Sequence, residues 1–207
     1  MNTTLIVDIQ SDWHPGTGRG SGFHLDALTH RGADGLPRLP GRTLKGLLRD
    51  ALWRAETWGW EAVPTGTTEA LFGSWTHPDL RTTKDSDDNL SSPGAVRVGD
   101  ACLPDAVAAY LGQDPEGKKL AESLYREHFS TAIDHASGVA RSRSLRGIQT
   151  IVPLQLHASL SIIPGQVAPS GWREALQAVL PLITAVGAHR TRGFGRAHLF
   201  LEESTHA

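Results

Sequence analysis

The sequence predicts an α+β chain built round an antiparallel sheet, and three stretches carry that prediction. In IVPLQLHASLSII, 151–163, Leu154, Leu156, Ala158, Leu160 and Ile162 alternate with Gln155, His157, Ser159 and Ser161. That period belongs to a strand with one solvated face. Leu44, Leu47, Leu48, Ala51, Leu52 and Ala55 recur at the spacing of an amphipathic helix. TLIVDIQ, 4–10, sets Leu5, Val7 and Ile9 against Ile6, Asp8 and Gln10, again with strand period.

The remaining elements follow in chain order. A glycine-rich loop, PGTGRGSG at 15–22, comes after the first strand, and an irregular segment leads to Gly41. The first helix starts near Thr43 and ends in an aromatic group, Trp53, Trp58 and Trp60. Residues 62–94 are rich in Thr, Ser, Asp, Gly and Pro round one apolar island, EALFGSW, which reads as a surface insertion. AVRVGDACL, 95–103, is a second strand, a helix covers roughly 115–127, and FSTAID, 129–134, begins another strand. HASGVARSRSLRGIQ, 135–149, is too polar for a core and too long for a tight turn, so it is expected to project as a hairpin arm. Ser170 is placed to cap a helix through Val186, kinked at Pro181, and RAHLFLE closes the sheet. Without its insertions the order is β-α-β-β-α-β, the ferredoxin-like or split βαβ arrangement that the RRM shares. The expectation is a single domain over 1–207, with an insertion at approximately 62–127 and the arm at approximately 135–149.

Composition bounds the function. With 39% hydrophobic and 20% charged residues, 207 residues can bury a core. No apolar run reaches membrane-spanning length, and MNTTLIVDIQSDW lacks the pattern of a secretory signal, which points to the cytoplasm. The single cysteine, Cys102, excludes an internal disulfide and a Cys-based zinc site. Net charge is −2, yet the arginines cluster at 38–49, 141–146 and 190–196, while acids gather at 84–89. Arginine binds phosphate bidentately, and local fields matter more to a partner than the total.

Familiar chemistries fail on spacing. There is no G-x-G-x-x-G or P-loop pattern, GRGSG does not fit a nucleophile elbow, and ten histidines give no H-E-x-x-H. RGFG at 192–195 matches the start of the RRM's RNP1 motif, but Arg196 replaces the next aromatic and the motif precedes the last strand. HRTRGFGR is therefore a glycine-rich loop at a helix–strand junction. Together with PGTGRGSG it describes a surface for a polyanion: glycines let backbone N–H groups approach phosphate, and a helix starting near Arg42 adds the positive end of its dipole. Gly18, Arg19, Gly20, Gly22, Arg42, Thr43, Lys45, Arg49, His189, Arg190, Arg192, Gly193, Gly195 and Arg196 are the candidate contacts.

Four segments, in order, resemble the RAMP superfamily of CRISPR effector subunits. SGFHLDALTHRGADGLPRLPGRTLKGLLRDAL, 21–52, is similar to that superfamily's region around L-P-G-[ST]-[ST]-L-K-G-x-x-R, with Pro40, Gly41, Thr43, Leu44, Lys45, Gly46 and Arg49 in place. LFG at 71–73 leads to VGDACL at 98–103, TAIDHASGVARSRSLRGIQTIVP spans 131–153, and RTRGFGRA matches the glycine-rich loop. The closest resemblance is to the repeated backbone subunit of type III complexes.

That resemblance implies a subunit gripping guide RNA without reading its sequence, alongside copies of itself, other effector subunits and complementary target RNA. The arm would cross the guide–target duplex, with Arg141, Arg143 and Arg146 near RNA. In cleaving members an aspartate before the P-G-x-x-L-K-G segment supports metal-dependent cutting of the target; Asp26 occupies that region and would be both catalytic and metal-binding, with Mg²⁺ or a similar divalent cation. Two other readings stay open: a structural subunit without catalysis, and a metal-independent guide-processing endoribonuclease using His14, His24 or His30.

Overall fold

The computed structural model describes residues 3–22, 24–74 and 92–203. The acidic stretch at 84–89 and most of the expected 62–94 insertion lie outside the described residues. The strands are β1 (Thr3–Ile9), β2 (Arg38–Leu39), β3 (Val96–Val98), β4 (Ala101–Cys102), β5 (Tyr125–Ser130), β6 (Arg146–Ile151), β7 (Leu154–Ile162) and β8 (Ala197–Glu203). The helices are α1 (Gly41–Thr57), α2 (Thr67–Phe72), α3 (Asp105–Gln113), α4 (Pro115–Ser123) and α5 (Trp172–Val179). No helix among the described residues is long and apolar enough to cross a membrane.

The main sheet runs β2-β4-β7-β1-β8, with β3 also on β7 and every pairing antiparallel. β1, α1 and β3/β4 form one β-α-β unit with β7 lying between its strands. β7, α5 and β8 form a second, with β1 between its strands. Interleaving of this kind is the split βαβ topology that the element order predicts.

Register explains which face is covered. Leu5 opposes Ala158 and Leu201, and Val7 opposes Leu156 and Leu199. These residues share one core with Leu44, Leu48, Ala51, Leu52 and Ala55 of α1 and Ala175, Leu176 and Val179 of α5. The opposite face carries Asp8, Gln155, His157, Ser159, His198 and Glu202. Its exception is Ile6, only 2% exposed, between His157 and Phe200 on the neighbouring strands.

Several elements differ from the sequence expectation. The strand expected from Phe129 begins four residues earlier, as β5, and pairs only with β6 in a separate two-stranded sheet. The expected strand 151–163 is divided: Ile151 ends β6 and the main-sheet strand starts at Leu154. Pro153 lies at the break and has no N–H for a ladder. The helix expected at 115–127 is preceded by a second, α3. Asp114 separates the two, its carboxylate accepting from the Glu116 and Gly117 N–H groups, with Pro115 at the first position of α4. Gly171, not Ser170, caps α5, which stops at Val179, where a 3₁₀ turn over Leu180–Leu182 carries Pro181.

Leu48 is fully buried on α1 at the centre of this packing. Leu48→Ala is expected to cost about 2–5 kcal/mol through lost burial and a residual cavity. The midpoint of urea unfolding should fall at an unchanged denaturant slope.

Candidate nucleic-acid interface

Beyond α5 the chain forms a loop closed at its base by backbone bonds from Val186 N–H to Gly195 O (2.8 Å) and from Ala197 N–H to Thr184 O (3.0 Å). Within it, His189 and Gly193 adopt positive φ, 58° and 86°, on either side of a 3₁₀ turn over Arg190–Arg192. Gly195 is buried at φ 69°, and a Cβ there would overlap the Val186 carbonyl.

This late loop is seated on residues 10–14. Gln10 N–H donates to Arg196 O (2.7 Å), Gly195 N–H to Asp12 O (2.8 Å) and Ala188 N–H to His14 O (2.8 Å). The Ser11 hydroxyl donates to Gly193 O (3.0 Å) and accepts from Arg196 N–H (2.9 Å). The backbone is thus held, while the side chains of Arg190, Arg192 and Arg196 are exposed. Among the described residues none of the three forms an ion pair.

The early glycine stretch continues directly from this seat. It folds back on residues 25–30 through Thr17 N–H to Leu28 O, Leu28 N–H to Arg19 O, and His30 N–H to Pro15 O. Gly18, Gly20 and Gly22 lie along it, and the Arg19 side chain is exposed. The returning limb then joins β6: Asp26 N–H donates to Gly147 O (2.8 Å), Gln149 N–H to Ala27 O (2.9 Å), and Thr29 Oγ1 to Gln149 Oε1 (2.8 Å).

Asp26 is exposed, and its Oδ2 accepts the Gly147 N–H at 2.9 Å. Gly147 is buried so closely that a Cβ would lie 2.8 Å from the Phe129 ring and 3.0 Å from His24 O. Asp26 is therefore oriented by the arm's returning strand. Among the described residues no group of three His, Cys, Asp or Glu side chains converges to hold a metal ion. Glu127 is paired with His24 at 3.0 Å. The described side chains around Asp26 do not by themselves make a site for a resident divalent cation.

The arm is larger than 135–149. β5 and β6 form its stem, and 131–145 its distal part. Near the tip, Asp134 accepts from Ser137 and Ala136, hydrogen bonds that hold its carboxyl below the usual range. At the base of the distal part, Ser144 Oγ meets Thr131 Oγ1 at 2.5 Å and donates to Arg141 O (2.7 Å). Arg141, Arg143 and Arg146 are exposed, Arg143 at φ 58°. Between them the arm presents apolar side chains to solvent, Leu145 at 70% and Val139 at 62%. Sequence reasoning missed these because no periodic pattern contains them.

The first helix contributes less than its motif suggests. Arg42 is exposed and Thr43 and Lys45 are half-buried, but Arg49 turns away and donates from Nη2 to Gly73 O at 3.1 Å. At the helix start, Gly41 N–H is taken by the Asp100 carboxylate at 2.8 Å, which also pairs with Arg38. A positive helix end free for phosphate was expected; an internal anion already occupies it. A cleft of about 460 Å³ separates Leu47, Asp50 and Arg54 of α1 from Thr184, Arg190 and Thr191 of the late loop.

The fold and its loops define a ferredoxin-like α+β protein that carries a glycine-and-arginine loop and a projecting ribbon. The model of the RAMP superfamily matches residues 7–198, and the chain belongs to that superfamily. One solved structure similar to it is a chain of the type III-B Cmr-beta complex bound to cognate target RNA, with TM-score 0.68, 10% identity and 97% of each chain covered. Another is a chain of Cmr-beta in its apo state, with TM-score 0.65, 11% identity and coverage of 99% of this chain and 98% of that one. At such identities the likeness establishes the fold. No curated protein matches the sequence.

His14, at the seat of the late loop, is 3% exposed and lies 2.6 Å by Nδ1 from Gln149 O. A carbonyl can only accept, so Nδ1 carries the proton. Burial pushes the His14 pKa below 6.5, outweighing the Gln149 bond that raises it, and nearby His189 lowers it further. The unfolded chain therefore binds more protons than the folded one between the lowered folded pKa and about 6.5, and the stability that neutral His14 gives is lost as pH falls from about 6.5 through the folded value. Unfolding midpoints measured from pH 8 to pH 5 should decline, and His14→Gln should flatten the decline in its lower half.

Proposed function

We propose that this chain is a guide-RNA-binding backbone subunit of a type III CRISPR effector complex. The observation that carries the proposal is the late loop. Five hydrogen bonds to residues 10–14 hold it, yet its three arginines are exposed and have no carboxylate partner among the described residues. A surface whose cations are left unneutralised beside fixed backbone is suited to a sugar-phosphate strand, with base pairing left to read the sequence. Gly18, Arg19, Gly20 and Gly22 extend that surface, and Arg42, Thr43 and Lys45 border it in the family's motif. Arg141, Arg143 and Arg146 on the arm would meet the guide–target duplex, as the family resemblance implies. Copies of this chain and other effector subunits would be its protein partners, in the cytoplasm.

Target cleavage is the second part of the proposal. With Oδ2 held by Gly147, Asp26 has Oδ1 to accept a hydrogen bond from a target 2′-OH and orient its oxygen toward the adjacent phosphorus. Attack would form a 2′,3′-cyclic phosphate, break the P–O5′ bond and leave a 5′-OH end. Asp26 alone does not hold a metal, and a Mg²⁺ ion there would need RNA phosphates as further ligands, so no step is assigned to one. A divalent ion recruited with the RNA is tested by chelation. Guide processing by His14 is disfavoured by its burial.

Changing Arg190, Arg192 and Arg196 together to alanine should weaken single-stranded RNA binding irrespective of sequence and lower the salt slope by about two. Filter binding across a salt series measures both, and an unchanged slope assigns the RNA to another face. Asp26→Ala should slow cutting of guide-paired target by about a hundredfold or more while leaving guide affinity in place. EDTA abolishing the cutting adds a divalent ion to the site. Cutting at the wild-type rate in Asp26→Ala makes the subunit structural.

A further inference from the structure

The arm and the late loop are distant in sequence, and the arm's stem is a sheet of its own, yet one residue bonds both, through its carboxylate to the arm and its main-chain carbonyl to the loop. Asp12 accepts from His128 Nε2 at 2.9 Å and from Arg126 Nη1 at 3.2 Å, two side chains of β5. Its main-chain carbonyl accepts the Gly195 N–H of the late loop at 2.8 Å. Only 16% of the Asp12 side chain is exposed, so water screens this cluster less than an open surface pair.

Ring contacts run parallel to these bonds. The His128 ring meets Phe194 of the late loop edge-on, with centroids 5.3 Å apart at 89°. Phe194 lies 6.3 Å from His189, and His189 lies 5.9 Å from His14. His14 in turn is bonded to the Gln149 carbonyl in β6. A closed circuit results, from β5 through Asp12 and the glycine loop to His14 and back to β6. Other side-chain ties from β5, such as Glu127 to His24 and the Tyr125 hydroxyl to Gly35 O, do not reach the late loop.

We propose that Asp12 is a positioning residue that clasps the arm to the glycine loop, so that RNA gripped by the loop meets an arm held at a fixed distance. The transmission to RNA rests on the function proposed above; the clasp itself does not. Neither partner element reveals it in sequence, since Arg126 and His128 lie more than a hundred positions from Asp12.

The test uses the full chain and two measurements. In RNA-free protein, Asp12→Ala should speed amide exchange in β5 by about tenfold, with β1 and β7 protected as in wild type and the Gly195 N–H still bonded to the main-chain carbonyl that alanine keeps. His128→Ala, which removes a β5 donor while leaving Asp12 itself unchanged, should loosen β5 similarly, whereas His128→Gln, retaining a donor to Asp12, should restore protection. Wild-type exchange in the arm of His128→Ala overturns the clasp, and that variant decides if Asp12→Ala disturbs the core. Second, removing Arg141, Arg143 and Arg146 should weaken guide–target duplex binding in wild type but by less than about twofold in Asp12→Ala, where the arm is already uncoupled. An equal loss in both backgrounds overturns transmission to the RNA. Loosened exchange in a chain that binds no RNA at all overturns the RNA function and leaves the clasp standing.

Discussion

The contact between Gly195 and Val186 is the constraint on which the rest of the surface depends. No side chain fits there, because a Cβ would overlap the Val186 carbonyl. With hydrogen in that place, the Gly195 N–H reaches Asp12, Val186 N–H reaches Gly195 O, and the loop closes at the start of β8. β8 is registered on β1 from Ala197 onward, so a shift at Gly195 would be felt by an interior strand of the sheet. Loop geometry and sheet register are one problem here, solved by one missing methyl group.

Charge follows the same logic of occupied and unoccupied places. Arg38, Arg54 and Arg126 each have a carboxylate partner, Asp100, Asp50 and Asp12; the first and last pairs join separate segments, and the Arg54 pair lies within α1. Arg31 stacks on the Tyr125 ring at 3.5 Å, and burial pushes the Tyr125 hydroxyl up to about 12, against the opposing pull of Arg31. The arginines of the late loop and arm stand outside this structural set. An almost neutral chain can thereby present a cationic surface, because its carboxylates are committed elsewhere.

What was legible in the sequence tracks how much of each element is buried on one side. β7 and α1 were plain because water lies on one face and the core on the other, which writes a period into the residues. β5 was misplaced because YREHFS has no fully buried position, and a ribbon with two wet faces has no alternation to read. α3 escaped because Leu111 is its only buried residue, although Asp114-Pro115-Glu116 carried a legible start for α4. In the candidate site, clustered arginines and glycines pointed to the late loop as a unit, and that stretch does fold as a loop between α5 and β8. Arg49 and the helix start were placed by motif, spacing and dipole, which cannot show that Gly73 and Asp100 claim them. Asp12 had no signal, since its importance comes wholly from residues brought to it by folding.

The position of β1 has a consequence for how the protein is made. It is paired on both edges in the main sheet, yet its neighbours are β7 and β8, about 150 and 190 residues further on. At ribosomal speeds of roughly 5–20 residues per second, several seconds or more separate the appearance of this apolar strand from that of its partners. Throughout that interval both of its edges can pair with any other nascent chain nearby. Crowded polysomes translating this message would therefore need a holding chaperone early in synthesis, well before the glycine loop exists to lock the sheet shut.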